Sequence, residues 1–124
     1  MIIKKNAGID FHQITEDNYD FMLQTRRHLH RHPELSGEEF ETAAYIRGFL
    51  DLWGIPYEVI AETSTVATIQ GAFPGPVVAL RGDIDALPIE EKTGVSYASQ
   101  NPGVMHACGH DCHTTYVLTA AKIL

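Results

Sequence analysis

The run Val77-Val78-Ala79-Leu80 passes without a break into Arg81-Gly82-Asp83-Ile84-Asp85-Ala86-Leu87-Pro88, and this junction decides the reading of the fold. Four consecutive apolar residues bounded by turn-forming residues have the pattern of a short strand covered on both faces, here a central strand of an α/β sheet. In such sheets functional groups gather just past the carboxyl ends of strands, so Asp83 and Asp85 stand where chemistry is expected. Their spacing lets both carboxylates face one site if the backbone stays extended. Two like charges so close need a cation or hydrogen-bond donors between them, and Arg81 is the simplest such partner.

Upstream of the junction, residues 57–61 and 65–70 alternate or are rich in β-branched side chains, which predicts two strands forming a hairpin or neighbours in one sheet. Further back, Tyr19, Met22, Leu23, Arg26 and Leu29 recur at helical spacing, predicting a helix over residues 15–30 that stops before Pro33. Ser36 with Glu39 reads as a capping box, and Leu35 with Phe40 as a hydrophobic staple, so a second helix is expected to begin at Ser36 or Gly37. Its apolar stripe runs through Phe40, Ala43, Ala44, Ile46, Leu50 and Trp53, with Gly54 and Pro56 supplying the stop. The first ten residues, up to Asp10, have no clear period and are expected to form a loose terminus or a short edge element.

Downstream, residues 82–110 carry no sustained period, and so long an irregular stretch in a compact domain is usually functional. A last helix is expected from Asp111 or His113, with Val117, Leu118, Ala121 and Leu124 on one face. It ends on Ala120-Ala121-Lys122-Ile123-Leu124 without a stop signal, which reads as a chain cut within a domain. The alternative is a helix docking at the edge of a complete one.

The composition bounds the function. A length of 124 residues suits one domain, and 44% hydrophobic with 20% charged residues is ordinary for a soluble globular fold. The net charge of -7 argues against non-specific binding to nucleic acid or anionic membranes. No apolar run reaches the ~20 residues of a membrane helix, and Met1-Ile2-Ile3-Lys4-Lys5 lacks the order of a signal peptide. Cys108 and Cys112, the only cysteines, lie in a His-rich stretch, which suits metal or redox chemistry in a reducing compartment and predicts a cytoplasmic protein.

The strongest chemical signal is His106-Ala107-Cys108-Gly109-His110-Asp111-Cys112-His113. In an extended segment Cys108 and His110 point to the same side and grip one metal ion. A thiolate with an imidazole suits zinc, manganese, cobalt or nickel better than calcium or magnesium. Asp111 is placed to orient a ligand from behind. The Arg27-His28-Leu29-His30-Arg31-His32 tract lies at a helix end, where residues two apart do not face each other. Its histidines are therefore read as favourable partners of the helix C-terminus. Glu38, Glu39 and Glu41 are read as first-turn acids and Trp53 as core.

These motifs, in order from about Tyr19 to Leu124, resemble the metallopeptidase family of the aminoacylases and carboxypeptidase G. They are most similar to its amidohydrolase branch, that of hippurate and indole-acetyl-amino acid hydrolases. The resemblance rests on Arg26-Arg27-His28-Leu29-His30, Pro33-Glu34-Leu35-Ser36, Gly54-Ile55-Pro56, the 81–88 motif and His106-Ala107-Cys108-Gly109-His110-Asp111 with His113. It implies the N-terminal part of a zinc-peptidase-like catalytic domain, a mixed sheet flanked by helices. A lid or dimerisation domain and the C-terminal catalytic half would lie outside these residues.

It further implies two divalent metal ions (Mn, Zn, Co or Ni) in the complete enzyme, with Cys108 and His110 as ligands and Asp85 supporting the metal site. Asp83 falls where other branches place a metal-binding histidine and Asp111 where they place a bridging aspartate. Asp83, Asp111 and His113 are secondary candidates. A Glu-Glu pair and two more histidines are expected downstream, so the chain alone should be inert. The implied substrate is a small N-acylated amino acid or peptide with a linear amide bond, and a homo-oligomer is expected. The alternatives are a truncated, non-catalytic metal-binding or interaction module, and a redox switch built on Cys108 and Cys112.

Overall fold

The structure, a computed structural model, describes residues 8–124. The expectation for the first ten residues thus falls largely outside the described part, and Gly8, Ile9 and Asp10 within it are exposed. The elements in chain order are α1 (Phe11–Asp17), α2 (Tyr19–Arg31), α3 (Phe40–Trp53), β1 (Tyr57–Ile60), β2 (Ser64–Ala67) and α4 (His110–Ile123).

The single helix expected over residues 15–30 is two helices. Asp10 caps α1 by accepting from the His12 and Gln13 amides, and Asn18 ends α1 and precedes α2. On α2, Leu29 is buried while Tyr19 is 57% exposed, so the apolar stripe sinks toward its C-terminal end. Opposite it, Phe21, Phe49 and Trp53 form an aromatic cluster between α2 and α3, with centroid separations of 5.2, 5.7 and 5.3 Å.

Helix α3 begins at Phe40, later than the capping-box reading places it. Ser36 makes no capping bond, because Ser36-Gly37 is a turn with Gly37 at φ 84°. Glu34 does the capping instead, its carboxylate accepting from the Glu41 and Thr42 amides at 3.1 and 2.7 Å. The helix ends at Trp53 with Gly54 as left-handed C-cap, as expected. Ala43 and Leu50 of the expected stripe are buried, but Phe40 is 52% exposed.

The antiparallel hairpin of β1 and β2 is in register Tyr57 with Ala67 and Ile60 with Ser64. Arg47 of α3 ties it down, donating to Thr65 Oγ1 at 2.9 Å and to the Glu62 carbonyl at 2.8 Å. The strand expected at residues 77–80 is not formed. Val77 and Val78 are 99% and 81% exposed, and no other strand among the described residues lies alongside to complete a ladder. A strand exists only by pairing, so an apolar run without a neighbour stays extended and wet. The α/β character of the chain rests on the hairpin and on two isolated bridges, Leu35 with Ala86 (parallel) and Leu87 with Met105 (antiparallel).

Helix α4 packs on α2. Its buried face is Asp111, Thr114, Thr115, Leu118 and Thr119 rather than the expected stripe, of which only Leu118 is buried and Leu124 is 80% exposed. Threonines are buried there because their hydroxyls are satisfied along the helix: Thr115 donates to the Asp111 carbonyl and Thr119 to the Thr115 carbonyl, both at 2.7 Å.

Candidate metal centre

The 82–86 segment is held against the head of α4. A Cβ on Gly82 would meet the His113 carbonyl oxygen at 3.1 Å and Val117 Cγ2 at 3.2 Å, so only glycine lets the segment approach so closely. One residue on, Thr114 Oγ1 donates to the Asp83 carbonyl at 3.0 Å. The Ala86 amide then donates to the Glu34 carbonyl at 2.7 Å, tying the segment to the turn before α3.

That docking sets Asp85 beside His110. His110 Nδ1 donates to Asp85 Oδ1 at 2.8 Å, with the Asp85 carbonyl at 3.0 Å. The contact fixes the tautomer and leaves Nε2 as the nitrogen able to bind a metal, the arrangement in which a carboxylate orients a ligating histidine. His110 is the first residue of α4, entered through Gly109 at φ 90°, a left-handed turn that favours glycine. The extended backbone expected across Cys108 and His110 is therefore broken between them. Cys108 is a free, exposed cysteine and Cys112 a free, half-buried one.

The remaining candidates separate. Asp83 pairs with Arg81 at 2.8 Å on the exposed side, where the guanidinium's hydrogen bond and charge hold the carboxyl below its usual range. Asp83 and Asp85 thus have different partners. His113 is exposed, its ring centroid 5.7 Å from that of His110. Asp111 is fully buried and committed to the fold: Oδ2 lies 2.7 Å from His30 Nδ1 and Oδ1 accepts from the Cys112 amide at 2.9 Å. Arg26 Nε also lies 2.9 Å from Asp111 Oδ2, an ion pair by distance whose N–H is misdirected for a hydrogen bond, so charge attraction carries it.

His30, read from sequence as a helix-end cation, is a buried bridge. Its second nitrogen, Nε2, faces Glu91 Oε1 at 3.1 Å, linking α2 to the loop before residues 106–113. Burial alone would raise the Glu91 carboxyl, but hydrogen bonds from the Thr93 hydroxyl, the Ser99 amide and His30 outweigh it and hold the group at about 2. The sequence signal for His30 was its place one helical turn from Arg26, on the side that meets α4.

Arg26, His30, Glu91, His106, Cys108 and Asp111 line an open cleft of about 350 Å³. His106 is buried there, and desolvation lowers its pKa. Among the described residues no three His, Cys, Asp or Glu side chains gather to hold a metal ion. Cys108 and an oriented His110 fit a metal as part of a ligand set, since catalytic zinc normally keeps three protein ligands.

An exposed thiol lining the cleft and a carboxylate-oriented imidazole at the head of α4 are donors of the kind that bind divalent transition metals. The family model for Peptidase family M20/M25/M40 matches residues 79–124. The N-acetyl-L-cysteine deacetylase of Bacillus subtilis is 56% identical over 104 residues, 83% of this chain and 25% of the relative. The structure of B. subtilis YxeP, described as a dinuclear metal binding peptidase of the M20 family, superposes with TM-score 0.83 at 43% identity, over 87% of this chain and 31% of its own. A solved structure from methicillin-resistant Staphylococcus aureus gives TM-score 0.84 at 47% identity, over 90% of this chain and 30% of its own. The chain is similar to this family over these residues, and it spans about a quarter of the length of the curated relatives it matches. No helix among the described residues is long and apolar enough to cross a membrane.

Proposed function

We propose that this chain supplies the metal-binding front part of an amidohydrolase that cleaves the linear amide bond of small N-acylated amino acids or peptides. The observation that carries the reading is His110 at the head of α4, its Nδ1 held by Asp85 at 2.8 Å, two residues after the exposed thiol of Cys108. Cys108 and His110 would hold a divalent metal, Asp85 would fix the His110 ring, and Asp83, Asp111 and His113 play secondary parts. The metal, when bound, supplies Lewis-acid polarisation of the amide carbonyl. This chain's own residues bind and orient: Asp85 sets the imidazole, while Asp111, Arg26 and His30 brace the first turn of α4 against α2.

Residues 1–124 are the N-terminal portion of the catalytic domain in this reading, with the lid domain, the general base and the further ligands supplied by the rest of the enzyme. The relative's deacetylase name supports an acylated amino acid as substrate. A cytoplasmic homo-oligomer using manganese, zinc, cobalt or nickel completes the proposal. The test is turnover of N-acetyl-L-cysteine and hippurate with added manganese or zinc. The 124-residue chain should be inert, and the chain joined to the downstream catalytic half should be active and silenced by Cys108→Ala. Turnover by the isolated chain, or an active Cys108→Ala enzyme, would refute the assignment.

A further inference from the structure

His106 is 4% exposed, yet neither of its ring nitrogens has a hydrogen-bond partner among the described residues. Buried polar groups are nearly always paired, and leaving one unpaired is costly. The ring lines the cleft beside Cys108 and Asp111, so its missing partner can arrive from there.

The neighbouring carboxylates are not that partner. Asp111 serves His30, Arg26 and the Cys112 amide. Glu91 serves Thr93, Ser99 and His30, and Asp85 serves His110. The Asp111 and Glu91 carboxylates of the cleft disfavour an anionic partner for this ring. What fits is a neutral oxygen acceptor, the kind an amide carbonyl offers to an imidazole N–H.

We propose that His106 is a substrate-binding residue that donates a ring N–H to a neutral carbonyl oxygen of an acylated amino acid or peptide held in the cleft. The assignment rests on the amidohydrolase reading above. In the full-length, metal-loaded enzyme, His106→Leu should raise KM for N-acetyl-L-cysteine about tenfold, the worth of one such hydrogen bond, with kcat little changed. His106→Gln, which keeps a donor, should fall between. Metal content should stay at the wild-type level, and the melting temperature of His106→Leu should not fall, because the variant removes an unpaired polar ring from the interior.

A second readout needs no turnover: ring-nitrogen NMR of wild-type His106 should shift with N-acetyl-L-leucine amide and stay still with acetate. An unchanged KM in His106→Leu overturns the proposal in favour of an unpaired core histidine. Loss of metal overturns it in favour of a ligand, and a response to acetate but not to the amide in favour of an anion site. A wild-type enzyme that hydrolyses no acylated amino acid, recognised before any variant is made, removes the amidohydrolase reading and this proposal with it.

Discussion

Replacing Glu91 with glutamine isolates one charge in the network that braces α4. The Glu91 side chain is 4% exposed and receives the Ser99 amide at 2.6 Å, the Thr93 hydroxyl and His30 Nε2 at 3.1 Å. These contacts hold its carboxyl at about 2 against an ordinary 4.5. At ~1.4 kcal/mol per pH unit, that interval sets an upper limit of about 3 kcal/mol on its contribution to folding free energy, which solvent screening reduces. The folded-state value is depressed, so the contribution is complete above about pH 4.5 and disappears as the pH falls toward 2. Glutamine keeps the shape and one acceptor but carries no charge at any pH. Urea unfolding followed by circular dichroism should place Glu91→Gln up to about 3 kcal/mol below wild type at neutral pH, with the gap closing through that acid window. Equal stability at neutral pH, or a gap that persists undiminished in acid, would refute the reasoning.

Gly82→Ala should cost about 1–3 kcal/mol, because the new Cβ meets backbone of α4 at 3.1–3.2 Å rather than a movable side-chain tip; a thermal melt checks it. Glu34→Ala should lose about 0.5–2 kcal/mol through the cap of α3, whereas Ser36→Ala should stay within about 0.5 kcal/mol of wild type, and denaturant midpoints that reverse this order would return the cap to Ser36.

What the sequence disclosed followed from local periodicity. The stop at Gly54, the hairpin, and a helix beginning beside the metal motif were legible because caps, alternation and helical spacing act within a few residues. The run at residues 77–80 was misread because apolar character reports an appetite for pairing and not the presence of a partner. The start of α3 was misread because Ser36 and Glu39 fit the capping formula equally well in a turn, while Glu34, the working cap, lies outside any such formula. The 106–113 stretch stood out by composition, but the contact that orients His110 joins residues 25 apart, Asp85 to His110, and no short-range pattern records it. His30 was undervalued for the same reason: its partner Asp111 lies 81 residues away, outside any spacing within its own helix.

The central claim is that Cys108 and His110, with Asp85 behind the imidazole, bind a divalent metal, and cobalt(II) titration followed by absorption tests it most directly because a thiolate ligand produces a charge-transfer band. The band should appear with wild type and with Cys112→Ala and vanish in Cys108→Ala. In Asp85→Ala it should need about 10–100-fold more cobalt, the usual effect of losing the group that orients a ligating histidine. A band unaffected by Cys108→Ala, or no band at saturating cobalt, would contradict the account.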